Sequence, residues 1–395
     1  MTKVLRIINR FNLGGPTYNA GYLTKHLSSN FETRLIGGPN EESETDSLFI
    51  LESIGVEGEI IEEMRRSIHP LNDWRAFLKL RKIIKEYRPD IVHTHASKAG
   101  TLGRLAALCT GVKVIVHTYH GHVFHSYFSP IKTFIFKTIE RFLAKRSSAI
   151  IVISELQKME LCHQFKIVQE KKAHVIPLGF DLSRFSTPNP DLRTAFRAEY
   201  SIRQDEILVV IVGRMAPIKN HAMFIRVASH TLQHIGNKLR FMIVGDGETR
   251  AEIEELAITN NMTISTPEKL NPQAQIIFTS WILDVERVYS GADISVLTSL
   301  NEGTPVSLIE SIASGVPVIS TEVGGIADFV TDGIHGYLTK VNDDLLFAAK
   351  LLELANNQQL RSKLAANGQE KILKIFDYRR LVTDVEKLYT KLLSE

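Results

Sequence analysis

The sequence predicts an α/β protein built from two doubly wound, Rossmann-like domains. Short β-branched runs alternate with helical patterns along the whole chain. These runs are continuously apolar rather than alternating, as expected of parallel strands covered on both faces. At 395 residues the chain exceeds one ordinary core, so two domains of roughly 180–200 residues are expected.

In the first half, residues 4–8, 33–36, 91–95, 113–118 and 149–153 read as strands, and 74–87 and 130–145 as amphipathic helices. The second half repeats the plan. Its strands are 207–212, 240–244, 276–278, 294–297 and 317–320, with helices at 221–234, 307–313 and 345–353. Between the halves, residues 177–190 hold three prolines and a glycine, the composition of a linker. The expected domains are therefore 1–178 and 179–376. The helical pattern over 378–393 follows Phe376 and Asp377 and could belong to either. Ligand crevices are expected at the strand C-termini of both domains.

Apolar residues make up 44% of the chain and charged residues 23%, ordinary for a soluble enzyme. The first ten residues carry Lys3, Arg6 and Arg10, which rules out a signal-peptide core there, and no run of about 18 apolar residues follows. A cytoplasmic protein is expected. Cys109 and Cys162 are the only cysteines; they give no disulfide framework and read as small interior residues in a reducing compartment. Residues 1–180 hold 25 Lys+Arg against 17 Asp+Glu, and residues 181–395 hold 22 against 27. The basic first half should meet something anionic. Without aromatic–basic interleaving a nucleic acid is not the expected partner; an anionic membrane surface or a phosphate-bearing acceptor fits better.

The segment from Val212 to Asn220 ends a buried strand at Gly213 and places Arg214 and Lys219 on the following loop, before a helix. Two cations beside a helix N-terminus suit a diphosphate, although they could also be solvated loop charges. Farther on, Glu302 precedes Gly303, Thr304 and Pro305, which turn the chain into a helix holding Glu310. Glu310 could accept hydrogen bonds from ribose hydroxyls, or simply complement a helix dipole. Gly14-Gly15 and Gly324-Gly325 each follow a strand, where backbone N–H groups could approach a phosphate or sugar. His117, His120, His122 and His125 lack an accompanying cysteine or carboxylate, so no metal site is expected. His120 is better placed to touch a sugar hydroxyl or a phosphate.

Together these residues resemble the family-4 glycosyltransferases, retaining enzymes of the GT-B fold. The likeness rests on the E-x7-E pair Glu302/Glu310, the R-x4-K pair Arg214/Lys219, Gly14-Gly15, Gly324-Gly325 and the interdomain segment from Pro177 to Asp181. Leu178 stands where the family often has asparagine. The resemblance implies two domains facing across a cleft, with helix 377–395 crossing back onto the first. It implies a nucleotide-sugar donor, UDP-linked by family habit, a glycan or lipid-linked acceptor, and neither metal nor cofactor. Arg214 and Lys219 would neutralise the diphosphate, and Glu310 would hold the ribose. Glu302 with Gly303, Thr304 and Pro305 would hold the donor sugar, which His120 would also approach. Asp246 and the segment around Trp281 would flank the nucleobase, unless Trp281 is a core residue. A nucleotide-sugar epimerase, or a silent nucleotide-sugar-binding partner in a glycan-assembly complex, would share much of this set.

The segment 129–146 joins Phe134, Ile135, Ile139, Phe142 and Leu143 to five basic residues and one acid, Glu140. It reads either as a helix docking on an anionic membrane or as a packed helix with a solvated basic face.

Overall fold

The computed structural model describes residues 1–11, 15–39, 48–65, 67, 69–121, 130–187, 189–235 and 238–395. The chain divides into two compact units, Met1–Phe180 with Ile375–Glu395, and Asp181–Lys374. The divisions expected after 178 and after 376 fall within two residues of these bounds.

Unit 1 runs β1 (Thr2–Arg10), α1 (Gly15–His26), β2 (Phe31–Gly38), α2 (Leu48–Ile54), β3 (Gly58–Ile60), α3 (Pro70–Tyr87), β4 (Ile91–His95), α4 (Ser97–Thr110), β5 (Val114–Tyr119), α5 (Pro130–Arg146), β6 (Ala149–Val152), α6 (Glu155–Met159) and β7 (Ala173–Val175). Its sheet is parallel, in the order β3-β2-β1-β4-β5-β6-β7. Alternate side chains of each strand serve opposite faces. Ile91, Val114, Val116 and Ile151 pack under Leu23 of α1 and under Leu381, Val385 and Tyr389 of the C-terminal helix. Val92 and Ile115 pack instead under α3 and α4, and Ile150 and Val152 under Ala144 of α5. Proline at the first position starts α3, and Arg88, left-handed at φ 52°, ends it.

Unit 2 runs α7 (Ser183–Ser186), α8 (Pro190–Glu199), β8 (Ile207–Val212), α9 (His221–Ile235), β9 (Leu239–Val244), α10 (Arg250–Thr259), β10 (Ile264–Ser265), β11 (Ile276–Phe278), α11 (Val285–Gly291), β12 (Ile294–Leu297), α12 (Val306–Ala313), β13 (Val318–Thr321), β14 (Tyr337–Thr339), α13 (Asp344–Asn356) and most of α14 (Gln358–Phe376); α15 (Tyr378–Ser394) is the C-terminal helix of unit 1. This second sheet is also parallel, ordered β10-β11-β9-β8-β12-β13-β14.

In both sheets the strand order reverses at the centre, between β1 and β4 and between β8 and β12, and in the second sheet the short β10 also lies outside β11. Helices connecting successive strands go to opposite faces on either side of such a point, which opens a crevice beyond the strand C-termini. That geometry selects the loops to inspect. One expectation fails: Cys109 is exposed on α4 rather than interior, and Cys162 is only partly buried. Among the described residues no helix is long and apolar enough to cross a membrane.

Candidate active site

The loops after β8 and β12 flank the reversal point of unit 2, and there Lys219 meets Glu302. Lys219 Nζ lies 2.6 Å from Glu302 Oε1. Ser299 Oγ donates to the same oxygen, also at 2.6 Å. Both charged side chains are largely enclosed, so the pair is stronger than one in open water.

Backbone bonds fix this meeting. Leu300 N–H donates to the Ile218 carbonyl at 2.8 Å. Thr298 Oγ1 donates to the carbonyls of Lys219 and Asn220 at 3.0 Å each. Asn220 takes a left-handed φ of 51° after the 3-10 turn Pro217–Lys219. Gly213 has φ 154°, and Lys219 Nζ lies 4.0 Å from where a Cβ of residue 213 would stand.

The Gly324-Gly325 pair has a more definite place than its sequence suggested. Gly324 has φ 56°, and a Cβ there would lie 1.7 Å from the carbonyl oxygen of Glu302. Gly325 N–H donates to the Gly303 carbonyl at 3.1 Å. The glycines thus press against the loop that carries Glu302, Gly303 and Thr304. Pro305 is buried at the N-cap of α12, and no side chain caps that end. Its free N–H groups and dipole favour an anion.

Glu310 lies in the second turn of α12, partly buried, and its carboxyl has no hydrogen bond or ion pair to any described residue. Burial raises its pKa to about 7; Arg184 opposes the shift and Glu286 adds to it. A carboxyl without a partner in such a place is costly unless a ligand satisfies it.

Arg214 does not join the Lys219–Glu302 pair. Its exposed guanidinium bonds Glu248, with Nη2 to Oε2 at 3.0 Å. Asp246 accepts from Gly247 N–H at 2.8 Å, from Arg250 Nη1 at 2.8 Å and from Ser280 Oγ at 3.2 Å. Burial pushes this carboxyl up, but those bonds outweigh it and hold it below its usual range. Trp281, in the loop after β11, is half exposed, so it is not a core tryptophan.

In unit 1, Gly14, His122 and His125 lie outside the described residues. Gly15 is buried where α1 begins. His120 follows β5, and its Nε2 lies 3.0 Å from Nδ1 of His95, the last residue of β4. Burial pushes the His120 pKa down to about 3, so its ring is neutral near pH 7. Behind it the rings of His93 and His95 lie 4.2 Å apart. Arg6 Nη2 donates to Tyr389 Oη at 3.3 Å, and that hydroxyl lies 2.6 Å from His93 Nδ1. His93 Nε2 lies 2.7 Å from Thr118 Oγ1, so both ring nitrogens of His93 have a hydroxyl partner. His117 lies with Thr94 on the opposite face. Among the described residues no three His, Cys, Asp or Glu side chains are grouped to hold a metal ion.

Sequence reading missed Ser299 and His95. Ser299 stands three residues before Glu302 and carries no signature of its own. His95 reads in sequence only as part of a strand, and its position at the strand end is the one signal it carries.

Two parallel, doubly wound units, one with an ammonium–carboxylate pair at its reversal point, are the architecture of the GT-B fold, and comparison with known proteins gives the class, a glycosyltransferase. The model of the family "Glycosyl transferases group 1" matches residues 193–371, and that of "Glycosyltransferase Family 4" matches 14–184. The UDP-Gal:alpha-D-GlcNAc-diphosphoundecaprenol alpha-1,3-galactosyltransferase of Escherichia coli is 30% identical over 328 residues, 82% of this chain and 81% of that one. The putative glycosyltransferase EpsD of Bacillus subtilis is 28% identical, with 83% of each chain covered. Among solved structures, Anabaena Alr3699/HepE in complex with UDP superposes with a TM-score of 0.81 at 19% identity, covering 99% of this chain and 100% of that one. The chain belongs to the family-4 glycosyltransferases.

Proposed function

We propose that this enzyme moves a sugar, with retention of configuration, from a UDP-sugar to a hydroxyl of a glycan or lipid-linked acceptor in cell-surface polysaccharide synthesis. The observation that carries the reading is the Lys219–Glu302 pair on the loops at one sheet's reversal point, with the unpartnered carboxylate of Glu310 in the helix that follows Glu302. The family membership and the Escherichia coli relative's use of a UDP-linked donor and a polyprenyl-diphosphate acceptor favour transfer over epimerisation or silent binding.

In this reading Lys219, Arg214 and the N-terminus of α12 neutralise the diphosphate, which needs no metal or cofactor. The nucleotide-sugar is a co-substrate. Glu310 accepts hydrogen bonds from the ribose, and Asp246 and Trp281 flank the base. Glu302 aims Lys219 and, with the backbone of Gly303, Thr304 and Pro305, holds the sugar. Gly213 lets the chain turn beneath the phosphates, Gly14 and Gly15 offer backbone N–H groups, and neutral His120 hydrogen-bonds the sugar. The bond from the anomeric carbon to the phosphate oxygen breaks as the acceptor oxygen bonds that carbon on the same face. The departing phosphate oxygen takes the acceptor's proton, and the cations stabilise its charge. The reaction takes place on the cytoplasmic side of the cell membrane.

The test is release of UDP from candidate UDP-sugars with and without a polyprenyl-diphosphate-linked sugar, in EDTA, with NMR of the product anomer. Acceptor-dependent release and a retained anomer support the reading. An inverted product, or epimerised donor without UDP release, contradicts it. A covalent sugar adduct trapped on Glu302→Gln would replace same-face displacement by double displacement.

A further inference from the structure

We propose that the outward face of α5 is a docking surface for an anionic lipid membrane. The inference does not depend on the donor-site reading. An ordinary surface helix turns its apolar stripe inward, and α5 does not. Its inward side offers Glu140, Leu143 and Ala144. Glu140, the helix's one acid, is used internally: Arg104 Nη2 lies 2.7 Å from it, and the Tyr119 hydroxyl donates to it.

The outward side carries Ile131, Phe134, Ile135, Ile139 and Phe142, all exposed, the first two by 75% and 67%. Spaced at three and four residues, they form one stripe about 16 Å long. Lys132, Arg141, Lys145 and Arg146 are exposed around it, and none has an acid partner among the described residues. Arg146 lies 3.9 Å from the Phe142 ring centre. Arg141 bonds only the carbonyls of Phe165 and Lys166, which leaves its charge uncompensated. Helix α3 covers the same face of the sheet and exposes Leu71 and Trp74 near its start.

An apolar stripe on a helix that exposes cations and turns its one acid inward matches an anionic bilayer in both respects. The apolar side chains enter the acyl boundary while the cations remain with the headgroups. A second copy docked through this face would set cation against cation.

The full chain is tested by flotation with vesicles of phosphatidylcholine, and of phosphatidylcholine with phosphatidylglycerol. The parent should float with the anionic vesicles, less so at high salt, and poorly with the neutral ones. Phe134→Ser with Ile135→Ser should weaken that binding about tenfold or more, and Lys132→Glu with Lys145→Glu should do the same. The four positions point to solvent, and melting curves identical to the parent's would exclude unfolding as the cause. No flotation of the parent, equal flotation with both vesicles, or variants that float as the parent does would overturn the proposal. So would a parent dimer in sedimentation that dissociates in the Phe134/Ile135 variant, because the face would then belong to a second copy.

Discussion

Lys219 and Glu302, 83 positions apart in sequence, share a 2.6 Å charge-assisted hydrogen bond at the C-terminal edge of the unit 2 sheet. Without a diphosphate, Glu302 compensates an ammonium that would otherwise stand largely enclosed and unpaired. It also fixes where that ammonium points, with Ser299 holding the carboxylate.

Lys219→Ala should lower kcat/KM for UDP release by about a hundredfold to a thousandfold, the usual effect of removing one donor aimed at developing charge. Because the two residues act as a unit, Lys219→Ala and Glu302→Gln together should cost less than the sum of the singles, with a coupling of about 0.5–3 kcal/mol. Steady-state kinetics on the four enzymes measures it. Additive losses would mean that Glu302 does not act through Lys219.

Gly324→Ala introduces a methyl into the Glu302 carbonyl at a left-handed φ. It should destabilise unit 2 by more than about 2 kcal/mol in urea and abolish turnover. Gly333 has φ 70° with nothing within 4 Å of a Cβ. Gly333→Ala should therefore cost only the backbone strain, about 1–2 kcal/mol. Equal unfolding midpoints for the two variants would remove the steric role assigned to Gly324.

Glu310 should make stability and donor binding depend on pH in opposite senses. Its folded pKa of about 7 is raised by burial, so the folded state holds its proton more tightly than the unfolded chain. The penalty is absent below about pH 4.3, grows as pH rises, and is complete above about pH 7. Glu310→Gln should therefore melt higher than the parent at about pH 8, with the difference gone near pH 4. Ribose hydroxyls donating to the carboxylate favour its charged form, so affinity for UDP should rise more steeply from about pH 6 to 8 in the parent than in Glu310→Gln, the ionisation of the terminal phosphate being common to both. Melting curves and calorimetry check both halves.

His95 touches His120, with Nδ1 3.0 Å from Nε2, and under the proposed function it should act on the sugar only by positioning that ring. His120→Ala should lower kcat about tenfold, the worth of one neutral hydrogen bond. His95→Ala should lower it less, and the double variant should be no worse than His120→Ala. With the His120 pKa near 3, no kcat inflection between about pH 6 and 8 should vanish in His120→Asn. Multiplicative losses would deny His95 a positioning role.

The fold is legible in sequence where burial is two-sided. Strand β8, Ile207–Val212, is an unbroken apolar run because helices cover both of its faces. The four strands absent from the sequence reading, Gly58–Ile60, Ala173–Val175, Ile264–Ser265 and Tyr337–Thr339, are the four sheet edges. Each has two or three residues and pairs on one side, so no periodic pattern can build up. The apolar character of α5 is visible in sequence, but which way its stripe faces is not. The burial of Glu140 decides that, through an Arg104 partner 36 positions away. Likewise Lys219 and Glu302 are legible as site candidates from their local spacing. Their contact, and those of His95 with His120 and of Tyr389 with His93, come from topology.

The central claim, that Lys219, Glu302 and Glu310 form the donor site of unit 2, is tested most directly by calorimetric titration of UDP into the parent and into Lys219→Ala and Glu310→Gln. The account predicts saturable binding to the parent, weakened at least about tenfold in each variant whose melting shows it folded. Binding of equal strength in all three proteins would contradict it.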